Sequence, residues 1–153
     1  MLTLGIDTSN YATSLALFDT DTNAVVCDVK QFLPVKIGEL GLRQSDALFH
    51  HTVALPLLLE KLNSNHLLTK VKAVCVSQKP RPEDGSYMPC FLAGLTFAEG
   101  IAAALGVKLI KKSHQEGHIC AAIYATNNDN LYTKKHLAFH ISGGTTEMLL
   151  CNG

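Results

Sequence analysis

The chain opens with Leu2-Thr3-Leu4-Gly5-Ile6-Asp7-Thr8-Ser9-Asn10-Tyr11-Ala12-Thr13-Ser14-Leu15-Ala16-Leu17-Phe18, and the reading of this stretch decides the fold. Residues 2–8 read as a buried strand. Ser9-Asn10-Tyr11 make a tight turn, and Ala12–Phe18 read as a second strand. A further turn at Asp19–Thr22 leads into a third, Ala24–Lys30. Three strands joined by short turns make an antiparallel meander. The first turn gathers Asp7, Thr8, Ser9, Asn10 and Thr13. A carboxylate beside small hydroxyls suits a hydrated metal–phosphate group. The same residues are also ordinary turn formers.

Beyond the meander the pattern changes. Residues 31–43, with Pro34, Gly38 and Gly41, read as a loop. Ser45 is a candidate N-cap for a helix to about Asn63, with Leu48, Thr52, Leu55, Leu59 and Leu62 as its apolar stripe. Pro56 lies inside and is expected to kink or break it. His50 and His51 on its first half read as solvated or packed. Val71–Ser77 is an apolar β-branched run, a central strand, followed by a polar loop over 78–88. Pro89–Leu105 reads as a helix rich in small residues (Ala93, Gly94, Ala98, Ala102), which lets it lie close to a sheet. Val107–Ile110 is another strand, and a helix over about 113–125 follows. The order β-β-β-α-β-α-β-α gives a mixed sheet with flanking helices. That α/β pattern is the ribonuclease-H-like one, which builds each lobe of actin, sugar kinases and Hsp70.

Residues 1–125 therefore read as a first lobe, and the Asn-, Asp- and Lys-rich stretch Thr126–His136 as a connector. Leu137–Ile141 and Thr146–Cys151, joined by Ser142-Gly143-Gly144-Thr145, read as the first hairpin of a second lobe, built like the hairpin at residues 2–18. A lone hairpin is marginal without a sheet to join, and its unpaired edges favour dimerisation or disorder over 126–153.

Composition limits the function classes. Apolar residues are 47% and charged residues 17%, and the formal net charge is +0, so no broad nucleic-acid or membrane surface is indicated. No stretch reaches the ~18 apolar residues of a spanning helix. Asp7 in the first apolar run and the lack of a basic start argue against a signal peptide. Five cysteines without a C-x-x-C pair read as reduced core residues of a cytoplasmic protein.

Two motifs carry chemistry. In His114-Gln115-Glu116-Gly117-His118 the two histidines sit at i and i+4, one above the other on a helix. Such a pair can hold Zn or Fe, and can equally be two surface or packed imidazoles. The zinc-protease signature places its Glu directly after the first His. Here the acid is Glu116, about 200° around the helix from His114, which argues against a water-activating base. The second motif, Ser142-Gly143-Gly144-Thr145-Thr146, looks like a phosphate- or carboxylate-binding turn between strands.

With Gly5-Ile6-Asp7-Thr8-Ser9 at the start, His114-Gln115-Glu116-Gly117-His118 in the middle and Ile141-Ser142-Gly143-Gly144 near the end, the chain resembles the Gcp/TsaD family. These are the threonylcarbamoyladenosine synthases of tRNA, formerly described as O-sialoglycoprotein endopeptidases. The resemblance spans the whole chain but only the first half of the family's length. It implies transfer of a threonylcarbamoyl group from threonylcarbamoyl-AMP to adenosine 37 of tRNA. It also implies one divalent metal, Fe or Zn, on His114 and His118. His140, Ile141, Ser142, Gly143 and Gly144 would touch the adenylate, and Asp7, Thr8 and Ser9 would contribute to a nucleotide site for ATP or threonylcarbamoyl-AMP. The implied partners are tRNA and either companion proteins of the same ATPase-like fold or a second copy. Cys120 is expected to pack. Three departures suggest a divergent paralogue: Thr145 where the family has His, the Lys79–Gly85 loop where it has Gly-Pro-Gly, and no late Asp as third metal ligand. On this reading the chain alone binds metal weakly and is inactive. A non-catalytic partner module and a metallopeptidase are the competing readings.

Overall fold

A computed structural model describes residues 1–9, 11–35, 41–141 and 146–152. They divide into two compact units, 1–114 and 115–153.

The first unit is built on a five-stranded sheet. Strands β1 (Leu2–Asp7), β2 (Ala12–Asp19) and β3 (Ala24–Phe32) form the antiparallel meander, with Leu4 opposite Leu17 and Ile6 opposite Leu15. β4 (Val71–Lys79) joins β1 from the other side, parallel to it, and β5 (Lys108–Ser113) joins β4, also parallel. The order is β3-β2-β1-β4-β5. Parallel neighbours need crossovers, and helices α1 (Gln44–Leu62) and α2 (Phe91–Leu105) supply them. This is the ribonuclease-H-like mixed sheet with flanking helices.

Alternation sets the core. Leu4, Ile6, Leu15 and Leu17 project to one face and are buried with Val74 and Val76 of β4. Leu55, Leu58 and Leu62 of α1 and Ala93, Ala98 and Ala102 of α2 close over that face in the same cluster. The small residues of α2 do bring it close to the sheet: a Cβ on Gly94 would lie 2.7 Å from Thr8 Oγ1. Gly106, at φ 65°, ends the helix in the left-handed conformation that glycine adopts without penalty.

The expectations for α1 hold in part: Leu55 and Leu62 are buried and Leu48 and Leu59 pack against the core, while the cap, the break at Pro56 and the place of Thr52 need correction. It starts at Gln44, one residue before Ser45, behind an Arg43 cap that makes no side-chain hydrogen bond; Ser45 Oγ bonds Asp46 instead. Pro56 does not break it. Both Pro56 and Thr52, whose carbonyl loses its helical donor, are exposed, so water can satisfy the freed group. The buried stripe is Ala47, His51, Ala54, Leu55, Leu58 and Leu62, whereas Thr52 is exposed. His51 is the packed alternative: it is fully buried, with Nδ1 2.8 Å from Thr13 Oγ1.

The second unit holds α3 from Gln115 onward, a 3-10 turn at Asp129–Tyr132 and an antiparallel pair, β6 (His136–Ile141) and β7 (Thr146–Cys151). The whole of α3 runs His114–Thr126. Tyr132 Oη donates to Cys120 O at 3.1 Å, tying the turn to the helix. Cys120 is exposed, not packed as expected. Among the described residues all five cysteines are free, and no helix is long and apolar enough to cross a membrane.

Candidate active site

The three parallel strands β1, β4 and β5 end at the same edge of the sheet, and ligands of open α/β sheets bind outside such carboxyl ends. β1 ends at Asp7, β4 carries Ser77 near its end, and β5 runs straight into His114, the first residue of α3. The fold thus joins the first motif of the sequence to the second. Asp7 Oδ1 lies 3.1 Å from His114 Nδ1, across 107 residues of chain. The other oxygen, Oδ2, accepts from Ser9 N at 3.3 Å and from the Ser9 hydroxyl. Burial by itself would raise the Asp7 carboxyl. The hydrogen bond and charge of His114, with the hydroxyls of Ser9 and Ser77, outweigh it and hold the group at about 2, below its ordinary 3.8. Both side chains keep some access to solvent, 28% for Asp7 and 30% for His114, so a ligand can reach the pair. The His114 ring lies beside Phe91, with centroids 6.2 Å apart.

Thr8 plays a different part from Asp7. It is fully buried, its hydroxyl donating to Cys90 O at 3.0 Å and accepting from Gly94 N at 3.2 Å. It ties the end of β1 to the start of α2, which holds the Asp7–Ser9 turn in place.

The second unit gathers the remaining groups. The rings of His118 and His140 are 5.6 Å apart, centroid to centroid, tilted by 36°. His140 Nδ1 is 3.5 Å from Glu147 Oε2, and Gln115 Nε2 donates to the same oxygen at 2.8 Å. Next to this pair lies a cavity of about 270 Å³, between α3, Leu131 and β6, with His118, His136 and His140 among otherwise mostly apolar walls. Ile141 is exposed. Ser142, Gly143 and Gly144, like Asn10, lie outside the described residues. Among the described residues no three His, Cys, Asp or Glu side chains form a metal-binding group.

Sequence reasoning did not single out Ser77, Phe91 or Glu147. For Ser77 the signal was present: it stands where the apolar β4 run gives way to polar residues, at a strand end. Glu147 carried none, since only the β6–β7 register sets it opposite His140.

An antiparallel meander continued by parallel strands, with helices packed over it, is the ribonuclease-H-like fold, the one that also builds each lobe of the actin- and Hsp70-like proteins. Solved structures share this fold. YeaZ from Pseudomonas aeruginosa superposes over 99% of this chain and 67% of its own, with TM-score 0.51 and 15% identity. A Ppx/GppA family member from Aquifex aeolicus does so over 100% and 48%, with TM-score 0.50 and 18% identity. Residues 41–153 match the family described as TsaD, tRNA N6-adenosine threonylcarbamoyltransferase, and the chain belongs to that family. It is 27% identical over 151 residues to the tRNA N6-adenosine threonylcarbamoyltransferase of Francisella philomiragia, covering 97% of this chain and 43% of that protein. To its counterpart in Maridesulfovibrio salexigens it is 31% identical over 152 residues, covering 98% and 40%. The chain thus spans about two fifths of the length of these relatives.

Proposed function

We propose that the chain is the N-terminal lobe of a cytoplasmic, metal-dependent threonylcarbamoyl transferase acting on tRNA adenosine, or of a paralogue of it, and that it carries part of the active site. The observation that supports this best is the meeting of Asp7 and His114 at the carboxyl ends of β1 and β5, in a member of the TsaD family. His114 and His118 stand one turn apart on α3, and neutral imidazoles are apt ligands for Fe or Zn. A carboxylate on the other nitrogen of a ligating histidine is the usual supporting group, and Asp7 stands there for His114. The donor set therefore fits a divalent transition metal. Bound there, such an ion supplies a Lewis acid beside the group being transferred.

The chain's own residues would do the rest. The turn at Asp7–Ser9 and the stretch His140–Gly144 would receive the adenylate. Gly143 and Gly144, having no side chains, let phosphate or carboxylate oxygens approach backbone N–H groups. The acceptor tRNA, companion proteins of the same fold or a second copy, and the remaining ligands of the ion would come from outside these residues.

Two measurements test the reading. Metal analysis of the purified chain should find zinc or iron in the wild type, bound weakly, and less of it in His114→Ala and His118→Ala; equal metal in all three ends the clamp idea. Given threonylcarbamoyl-AMP and tRNA, the chain by itself should yield no threonylcarbamoyladenosine on nucleoside analysis. Product formed by this chain alone would show that it carries a complete site.

A further inference from the structure

The two oxygens of Asp7 have separate partners. Oδ2 is held by the backbone N–H and hydroxyl of Ser9, two residues on, in the turn that closes β1. Oδ1 meets His114 Nδ1, 3.1 Å away, and the Ser77 hydroxyl also bonds the carboxylate. The carboxylate is therefore fixed from its own turn before it meets the ring. An ionised carboxylate accepts hydrogen bonds and cannot donate them. The proton of the pair must then sit on Nδ1, and in the neutral ring the lone pair falls on Nε2. The ring is confined further by its place at the start of α3 and by Phe91, whose ring stands at 59° to it.

We propose that Asp7 is a positioning residue for His114: it fixes the tautomer and the orientation of the imidazole so that Nε2 is the nitrogen presented to a divalent transition metal. This rests on the metal reading above and deepens it, because it gives Asp7 a task other than touching the nucleotide. The hairpin turn and the histidine helix, separate motifs in the sequence, then form one device. Ser9 holds Asp7, Asp7 holds His114, and His114 meets the ion. Loss of such a supporting carboxylate weakens metal binding by about 10- to 100-fold in general.

The test measures zinc affinity of the full chain, by competition with a chromophoric chelator, for wild type, Asp7→Asn, Asp7→Glu, His114→Ala and His118→Ala. It is paired with long-range ¹H–¹⁵N spectra of the His114 ring without metal. Asp7→Asn is expected to weaken zinc binding at least tenfold and to move the neutral ring from the Nδ1–H to the Nε2–H tautomer. Asp7→Glu is expected to recover part of both. Wild-type zinc affinity in Asp7→Asn would overturn the proposal. So would weakened binding with an unchanged tautomer, since Asp7 would then act by charge and not by orientation. If Asp7→Asn fails to fold, the wild-type spectrum decides: an Nε2–H ring sinks the idea and an Nδ1–H ring supports it. Zinc retained by both His114→Ala and His118→Ala would end the metal reading separately, and the tautomer would then stand as the measure of the Asp7–His114 link.

Discussion

The chain contains two hairpins of similar pattern and different fate. In β1–β2 the alternate residues Leu4, Ile6, Leu15 and Leu17 face one another across the register and are at most 3% exposed. In β6–β7 the alternate residues Leu137, Phe139, Met148 and Leu150 also pair across the register, Leu137 with Leu150 and Phe139 with Met148, yet each is more than half exposed. The period-two pattern is the same. The first ribbon is flanked by β3 and β4 and covered by α1 and α2. In the second unit the described residues leave these four side chains largely open to solvent. Alternation thus defines a face; what the rest of the chain lays on that face decides whether it becomes a core. The polar chemistry runs in parallel. Each unit sets a carboxylate beside an imidazole, Asp7 at 3.1 Å from His114 and Glu147 at 3.5 Å from His140. The surroundings of Asp7 hold its carboxyl well below the usual carboxylate range.

Removing a side chain from each ribbon tests that difference most directly. Leu17→Ala, at a fully buried position of β2, is expected to lower stability by about 2–5 kcal/mol, because the lost apolar contacts leave a cavity that the sheet cannot close. Urea unfolding of the first unit measures it. A loss under about 1 kcal/mol would mean the meander is far less tightly packed than its burial indicates.

The next effects appear on acidification. His51 is buried against Thr13, and burial, with a smaller push from His50, lowers its titration from 6.5 to about 4 although Asp7 opposes this. Its Nε2 has no hydrogen-bond partner among the described residues. The unfolded chain takes up a proton below about pH 6.5 that the folded chain refuses until about pH 4. Stability should therefore fall across that window, by an amount on the order of 3 kcal/mol. Asp7 adds a second step. Its folded value is depressed to about 2, so its contribution is present above about pH 4 and is lost as the pH falls towards 2, on the order of 2 kcal/mol. Thermal melts from pH 7 to 2 should show both steps. His51→Gln should erase the upper one and Asp7→Asn the lower. A single step that survives both substitutions would place the acid sensitivity elsewhere.

Gly94→Ala comes next. Its new methyl would meet Thr8 Oγ1 at 2.7 Å, and Thr8 is pinned by Cys90 O and by Gly94 N, so the neighbour has little room to move. Overpacking of this kind costs about 1–3 kcal/mol. The variant should also disturb the Asp7–Ser9 turn, visible as a loss of zinc affinity out of proportion to the loss of stability. Wild-type behaviour on both counts would show that α2 can slide away from β1.

How much of this could be read from the chain follows from the range of each interaction. Strand alternation, the left-handed glycine after α2 and the i, i+4 histidines are local, and residues 2–19, 71–79 and 91–105 carried their elements openly. The stripe of α1 was legible in part: Leu55 and Leu62 are buried and Leu48 and Leu59 pack against the core, but Ala47, His51 and Ala54 occupy positions where a hydropathy pattern seeks leucine. The inward place of His51 depends on Thr13, 38 residues earlier, and nothing near His51 signals it. The Asp7–His114 pair is more distant still. Both residues stood out as candidates, one for phosphate and one for metal, but their meeting needs β1, β4 and β5 to be ordered side by side.

The smallest expected effect bears on the exposed ribbon. Phe139 is 70% exposed on β6, so Phe139→Ser should change stability by no more than about 0.5 kcal/mol, as surface substitutions usually do. Sheet propensity works slightly against serine, but a side chain already in water loses little on truncation. Hydrogen exchange of the β6 and β7 amides, wild type against variant, gives the local reading that global unfolding of the first unit would hide. A loss of 2 kcal/mol or more, with faster exchange along β6, would mean that this face is covered in solution. The contrast between the ribbons would then be one of partner and not of packing: the first finds its cover within residues 1–114, and the second would find it in another part of the polypeptide or in a second chain.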